Sequence, residues 1–163
     1  MRNSKVKGFT LIELIVVIAI IGVLAAILVP SMMGFVKDSK FSTANSNAKL
    51  VHTNLSTWAT KAETAGFPLS VVTPGNTGTT IPTRPATQPA ITDQASADAI
   101  GDALGWYMGT DTVNGAGFYS AEIKNGAPTR TWWAKTAADT VIGRYPDATN
   151  ASMVKGTDFD WNK

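Results

Sequence analysis

The feature that most constrains this chain is a stretch without any ionisable side chain, from Leu14 to Val36. Most of its 23 residues are Ile, Leu, Val or Ala. About 20 apolar residues, at a rise of 1.5 Å each, carry a helix across the roughly 30 Å hydrocarbon core of a bilayer. The stretch therefore predicts a helix that spans a membrane.

The residues before this stretch are basic, with Arg2, Lys5 and Lys7 among the first eight. Basic residues on one flank of a span favour the cytoplasmic side, so a cytoplasmic N-terminus is expected. A cleaved secretory signal peptide also has a basic start and an apolar core, and Ala25 and Ala26 resemble its cleavage site. Composition alone does not decide between a membrane anchor and a cleaved signal peptide.

Glu13 distinguishes between these alternatives, because it is the one ionisable side chain from Gly8 to Val36. A carboxylate within a bilayer span is costly when charged and is usually paired or functional. The nearest cations, Lys5 and Lys7, precede Gly8 and are expected on the aqueous flank. We therefore expect the partner of Glu13 to come from another molecule.

Residues 8–14, with the sequence Gly-Phe-Thr-Leu-Ile-Glu-Leu, and the apolar run that follows to Pro30 resemble the leader and N-terminal helix of type IV pilins and pseudopilins. The resemblance implies that a prepilin peptidase cuts between Gly8 and Phe9 and methylates the new N-terminus at Phe9. It also implies that Gly22 and Pro30 mark a kink in the helix.

The same resemblance implies that Glu13 acts in assembly, by pairing with the Phe9 amine of a neighbouring subunit in a helical homo-oligomeric filament. The precursor would sit in the cytoplasmic membrane, in contact with lipid, and would be used by a pilus assembly platform. The mature subunit would be extracellular. No specific contact with nucleic acid is expected, and adhesion, motility or DNA uptake are possible roles of such filaments.

A second helical pattern follows the apolar run and predicts a helix over residues 37–65. Apolar residues recur at spacings of 3 and 4, as expected for one buried face of a helix. They are Phe41, Ala44, Ala48, Val51, Leu55, Trp58 and Ala62. A two-stranded coiled coil is the alternative, but three alanines in about three heptads favour packing on a sheet of the same chain.

The rest of the chain predicts a small antiparallel sheet. Residues 66–92, rich in Thr and Pro, are expected to form an irregular surface loop, and residues 93–104 a short helix that ends at Gly105. Asn125-Gly126 between two strand-like runs predicts a hairpin, with a third strand over residues 140–145. The expected fold is α+β: a leader over residues 1–8, an apolar helix over 9–36 and a head over 37–163 whose sheet covers about 117–146.

Candidate catalytic residues are few, because His52 is the only histidine and there is no cysteine. Because His52 lies beside the apolar stripe of the helix, we expect neither a His-based catalytic triad nor a two-histidine metal site. Without cysteine there is no thiolate metal site, and no nucleotide-binding or nucleophile-elbow motif occurs. We therefore expect a structural protein without a cofactor rather than a membrane-anchored enzyme. Asp158 and Asp160 are weak calcium candidates. Oxygen ligands alternate there as at the start of a calcium loop, but the glycine and the closing glutamate of such a loop do not follow.

Two alternatives to a pilus subunit remain open. One is the major pseudopilin of a type II secretion system, and the lack of a cysteine pair weakly favours a pseudopilin or a less common pilin lineage. The other is a pilus-borne adhesin that binds carbohydrate through exposed tryptophans, for which the candidates are Trp132, Trp133 and Trp161.

Overall fold

The computed structural model of the chain describes residues 8–73, 78–110, 115–137 and 139–150. The chain divides into two compact units, Met1–Lys37 and Asp38–Lys163. The leader residues 1–7 and the C-terminal Asp158, Asp160 and Trp161 lie outside the described ranges.

One long helix is followed by short strands and two short helices. In chain order, the elements are α1 (Leu11–Thr64), β1 (Thr79–Thr80), α2 (Gln94–Asp98), α3 (Ile100–Met108), β2 (Phe118–Lys124), β3 (Ala127–Ala134) and β4 (Ile142–Tyr145). The four strands form one antiparallel sheet in the order β1-β2-β3-β4. The predicted α+β fold, a long N-terminal helix with a small antiparallel sheet, is confirmed.

The buried face of the second half of α1 is the predicted apolar stripe, and all seven of its residues are buried. Val51 and Leu55 share a core cluster with Tyr119 of β2 and Trp133 of β3. This contact between a helix face and a sheet face confirms packing within the chain.

Trp58 of α1 connects the helix to both the sheet and the short helices. It shares a second core cluster with Ile123 of β2 and Ala103 of α3. Its indole Nε1 donates a hydrogen bond to the Ala97 carbonyl at 2.8 Å. A buried indole N–H needs such an acceptor, so the bond fixes the position of α2 against α1.

The end of α1 follows from Gly66, as its sequence position predicts. Gly66 has a φ of +86°, which glycine adopts without steric cost. Its N–H donates to the Glu63 carbonyl at 3.0 Å, and the N–H of Phe67 donates to the Ala62 carbonyl at 2.9 Å. These bonds satisfy two of the last helical carbonyls and stop the helix at Thr64.

The predicted helix stop at Gly105 is wrong, because α3 continues through Gly105 to Met108. A β-carbon at Gly105 would lie 2.9 Å from Pro82 Cγ and 3.2 Å from the Thr83 carbonyl oxygen. Glycine here allows the chain at residues 82–83 to pass close to the helix. Its role is close packing, and sequence alone does not distinguish that role from a stop signal.

The expectation that residues 66–92 are entirely irregular is also wrong. Within this segment, Val72 exchanges two backbone hydrogen bonds with Ile123 of β2, at 3.1 and 3.0 Å. Further along, β1 pairs with β2, with Thr79 opposite Tyr119. The segment thus covers the edge of β2, whose backbone groups would otherwise lack partners.

The predicted hairpin between β2 and β3 is confirmed. Asn125 and Gly126 have positive φ angles of 52° and 77°, the combination that a tight hairpin turn requires. The third predicted strand is also present, although it begins at Ile142. Just before it, the Asp139 carboxylate accepts a hydrogen bond from the Val141 N–H at 3.0 Å, which holds the chain in a turn.

We expect the head to lose stability as the pH falls from about 7.5 to 5.5, because of His52. Burial on α1 lowers the pKa of His52. Its Nδ1 has no hydrogen-bond partner among the residues that the structure describes, and its ring lies 4.8 Å from the Tyr145 ring. The unfolded chain therefore binds a proton more readily than the folded one below about pH 6.5, so acidification favours unfolding.

Urea unfolding of the parent and of His52→Gln, followed at both pH values, tests this expectation. The variant should lose less stability than the parent over this range, because carboxylates titrate mainly below about pH 4.5. Equal losses in the two proteins would show that His52 does not cause the pH dependence.

Candidate functional site

The candidate site is the first part of α1, whose apolar side chains are left uncovered. From Phe9 to Val36, the large hydrophobic side chains are 49 to 90% exposed. The most apolar 18-residue window of α1 has a mean hydropathy of 3.2, and none of it is buried. Length and composition are sufficient for a membrane span, and so much exposed apolar surface requires lipid or protein to cover it.

Glu13 lies in the first turn of α1 and is bound to Thr10. The Thr10 N–H and hydroxyl both donate to Glu13 Oε2, at 2.8 and 2.7 Å. The Glu13 N–H in turn points to the Thr10 hydroxyl oxygen at 3.4 Å. This reciprocal arrangement is a capping box, which satisfies backbone N–H groups at the start of a helix.

The capping box gives Glu13 a hydrogen-bond partner within the chain, whereas a charged partner from another molecule stays a prediction. Thr10 is a neutral partner, and the Thr-x-x-Glu spacing in the sequence is the signal that predicts it. Among the residues that the structure describes, no cation lies within ion-pair distance of Glu13. Its Oε1 accepts no hydrogen bond from any described residue, so one carboxylate oxygen is available to a donor from outside.

Gly22 and Pro30 lie within α1, which continues through both without interruption. Proline has no N–H to donate to the carbonyl four residues earlier, here that of Ala26. A β-carbon at Gly22 would meet no atom within 4 Å. The kink at these two residues stays a prediction.

The head does not present its two described candidate tryptophans to ligands. Trp132 and Trp133 of β3 are both buried, with exposed fractions of 0% and 9%. The Trp133 indole donates to the Ala116 carbonyl at 2.8 Å. A sugar-stacking platform needs an exposed aromatic face, so the expectation of exposed tryptophans is wrong for these two, while Trp161 lies outside the described residues.

The described ranges contain no group of three or more His, Asp or Glu side chains placed to hold a metal ion. The weak calcium candidates Asp158 and Asp160 belong to the part of the chain that the structure does not describe. Calcium binding there stays a prediction.

Comparison with known proteins locates the similarity at the N-terminus. The family described as "Prokaryotic N-terminal methylation motif" matches residues 3–29, which include Gly8, Phe9 and Glu13. No solved structure matches the chain.

Several curated proteins are similar to a part of the chain. The type IV major pilin protein PilA of Myxococcus xanthus (strain DK1622) is 51% identical over 51 residues, which are 31% of this chain and 23% of that protein. The type IV major fimbrial protein FimA of Dichelobacter nodosus is 42% identical over 64 residues, 39% of this chain and 41% of that protein. The type II secretion system core protein G of Pseudomonas aeruginosa is 39% identical over 51 residues, 31% of this chain and 36% of that protein.

The chain spans only 23% to 41% of the length of these relatives, so the likeness concerns a part of each protein. The head contributes its own evidence, an antiparallel sheet packed on the second half of a long helix. The methylation motif and the similar fimbrial proteins show that part of the chain is similar to type IV pilins and their pseudopilin relatives, and the long helix with a small antiparallel sheet is consistent with a pilin-like fold.

Proposed function

We propose that the chain is a structural subunit of a type IV pilus-like filament and polymerises through the apolar part of α1. The observation that carries this proposal is the uncovered apolar surface from Phe9 to Val36, interrupted by the single carboxylate of Glu13. Lipid covers this surface in the membrane precursor, whose N-terminus is cytoplasmic. Neighbouring copies of α1 cover it in the extracellular filament.

Glu13 sets the axial register of the filament in this proposal. Leader removal after Gly8 creates a cationic amine at Phe9, and the side-by-side packing of helices brings that amine to the Glu13 carboxylate of a neighbour. A buried charge without a partner is costly, so only registers that pair the two groups are stable. The Thr10 bonds to Oε2 hold the carboxylate in place and leave Oε1 for the neighbour.

The partners of the proposed subunit are other copies of itself, a prepilin peptidase, an assembly platform in the membrane and membrane lipid. The proposal assigns no catalytic role and no cofactor. The similarity to a type IV major pilin protein and to a type IV major fimbrial protein supports the proposal.

We expect the mature protein to begin at N-methylated Phe9, because the basic leader and the Gly8-Phe9 junction match the methylation motif. Replacing Gly8 with a bulky residue, as in Gly8→Trp, should leave uncut precursor in the membrane and remove the protein from the sheared surface fraction. The intact mass and the N-terminal sequence of protein sheared from the cell surface identify the first residue and its methylation. A surface protein that begins at Met1, or just after Ala26, contradicts the proposal.

A second candidate function is that of a type II secretion pseudopilin, which the similarity to core protein G favours. The two functions differ in their phenotypes. Deleting a pilus subunit removes surface filaments and leaves protein secretion intact, whereas deleting a pseudopilin stops the release of secreted enzymes. Measuring surface filaments and the release of secreted enzymes in one deletion strain distinguishes the two functions.

A further inference from the structure

The outer strand of the sheet, β4, has one edge on β3, and no strand of the described ranges lies beyond it. Two backbone groups on this outer edge are nevertheless bonded to side chains. The Arg144 N–H donates to Asn45 Oδ1 of α1 at 3.0 Å. The Ile142 carbonyl accepts a short hydrogen bond from the Thr149 hydroxyl. Side chains therefore occupy positions at which a further strand would bind.

The Asn45 amide also binds Thr149 itself, through both ends of the amide. Its Oδ1 accepts from the Thr149 N–H at 3.0 Å and lies 2.9 Å from the Thr149 hydroxyl. Its Nδ2 donates to the Thr149 carbonyl at 2.7 Å. The segment 146–150, here called the strap, is thus held against α1 beside the edge of β4.

The partners of Asn45 identify the side chain that the position requires. Two backbone N–H groups need an oxygen acceptor, and one backbone carbonyl needs an N–H donor. An aspartate offers no donor and an aliphatic side chain offers neither group, so an amide of this length meets all three needs. The chain has no cysteine, so no disulfide can hold the strap.

We infer that Asn45 and Thr149 seal the outer edge of β4 against strand addition by a second copy of this chain. Unpaired edge strands are templates for pairing between molecules, and a protein that polymerises is present at high local concentration. The seal confines self-association to α1. The need for such a seal rests on the proposed function, whereas the contacts that form it lie within the head.

The test uses the full chain in detergent micelles, with Asn45→Ala and Asn45→Asp as variants. Asn47→Ala is the matched control, because Asn47 is a half-exposed asparagine two positions away on the same helix. We expect the Arg144 and Thr149 amides to exchange hydrogen about tenfold faster in Asn45→Ala, as when a local opening becomes easier. Asn45→Asp should change their exchange less, because its carboxylate still accepts from both N–H groups and loses only the donor to the Thr149 carbonyl. Amides around Leu55 should keep their protection, and the control should match the parent.

The same samples, compared by size-exclusion chromatography over a range of concentrations, report on strand addition. The Asn45 variants should form oligomers larger than those of the parent and of Asn47→Ala, in proportion to concentration. Unchanged exchange at Arg144 and Thr149 in Asn45→Ala overturns the inference, and so does faster exchange in that variant without larger oligomers.

If the Asn45 variants do not fold, Thr149→Val tests the inference instead, because it removes only the hydroxyl that binds the Ile142 carbonyl. It should also form larger oligomers than the parent, to a smaller extent. A Thr149→Val protein that has the parent's exchange and size overturns the seal.

Discussion

Glu13→Ala is expected to leave the head folded and the precursor in the membrane, yet to remove most surface filaments. The variant loses the proposed pair between the carboxylate and the Phe9 amine of a neighbour, while none of the core contacts of the head changes. Removing one partner of a buried ion pair costs about 3–5 kcal/mol, so filament number should fall by at least about tenfold. Filaments counted by negative-stain microscopy, with membrane and sheared fractions blotted in parallel, give the measurement.

Three further variants test the charge pair and the capping box separately. Glu13→Gln keeps an oxygen for the Thr10 donors but carries no charge, and should assemble as poorly as Glu13→Ala. Thr10→Val removes the hydroxyl bond and keeps the backbone N–H and the charge, so it should retain more filaments. Glu13→Asp, one methylene shorter, should be intermediate.

Abundant normal filaments from Glu13→Ala would contradict the charge-pair account. Near-normal assembly of Glu13→Gln would indicate that Glu13 only reaches the lipid headgroups and plays no part in register.

Gly143→Ala is expected to destabilise the head by about 3 kcal/mol or more, as severe overpacking does. Gly143 lies in β4, opposite Trp133 of β3, where the strand meets α1. A β-carbon at this position would overlap the backbone carbonyl group of Ala44 and the backbone nitrogen of Asn45. Because both obstacles are backbone atoms of a helix, the strand itself must move away.

Gly101→Ala is the matched control for this substitution. Gly101 lies in α3, and its added β-carbon would have Tyr119 Oη at 3.4 Å as its nearest contact. Alanine is a better helix former than glycine, so this variant should gain up to about 1 kcal/mol. Urea unfolding of the full chain in detergent, followed by tryptophan fluorescence, compares the two. Equal midpoints for Gly143→Ala and Gly101→Ala would show that β4 does not pack on α1 this closely.

The parts of the fold that sequence predicts well are those with a local repeat. The spacing of apolar residues by 3 and 4 identifies the buried face of α1 correctly from Phe41 to Ala62. Asn125-Gly126 predicts the hairpin, because positive φ angles are cheap for just these residues. Both signals depend on neighbours in the chain and not on distant contacts.

The parts that sequence misses depend on contacts between distant segments. A glycine at position 105 is typical of a helix end, but here it is the close approach of Pro82 to the helix that requires a glycine. The Asn45 seal joins residues about a hundred positions apart, and no local pattern marks one asparagine among several on α1. Thr10 is different, since its capping box with Glu13 follows from a spacing of three residues.

A map of the assembled filament by electron cryomicroscopy tests the central claim most directly. The account predicts that the subunit begins at N-methylated Phe9, that the apolar part of α1 lies inside the filament, and that the Phe9 nitrogen lies within about 4 Å of the Glu13 carboxylate of a neighbouring subunit, the distance of an ion pair. A filament whose Glu13 carboxylates bind only Thr10 of the same chain, far from every neighbouring amine, would contradict it.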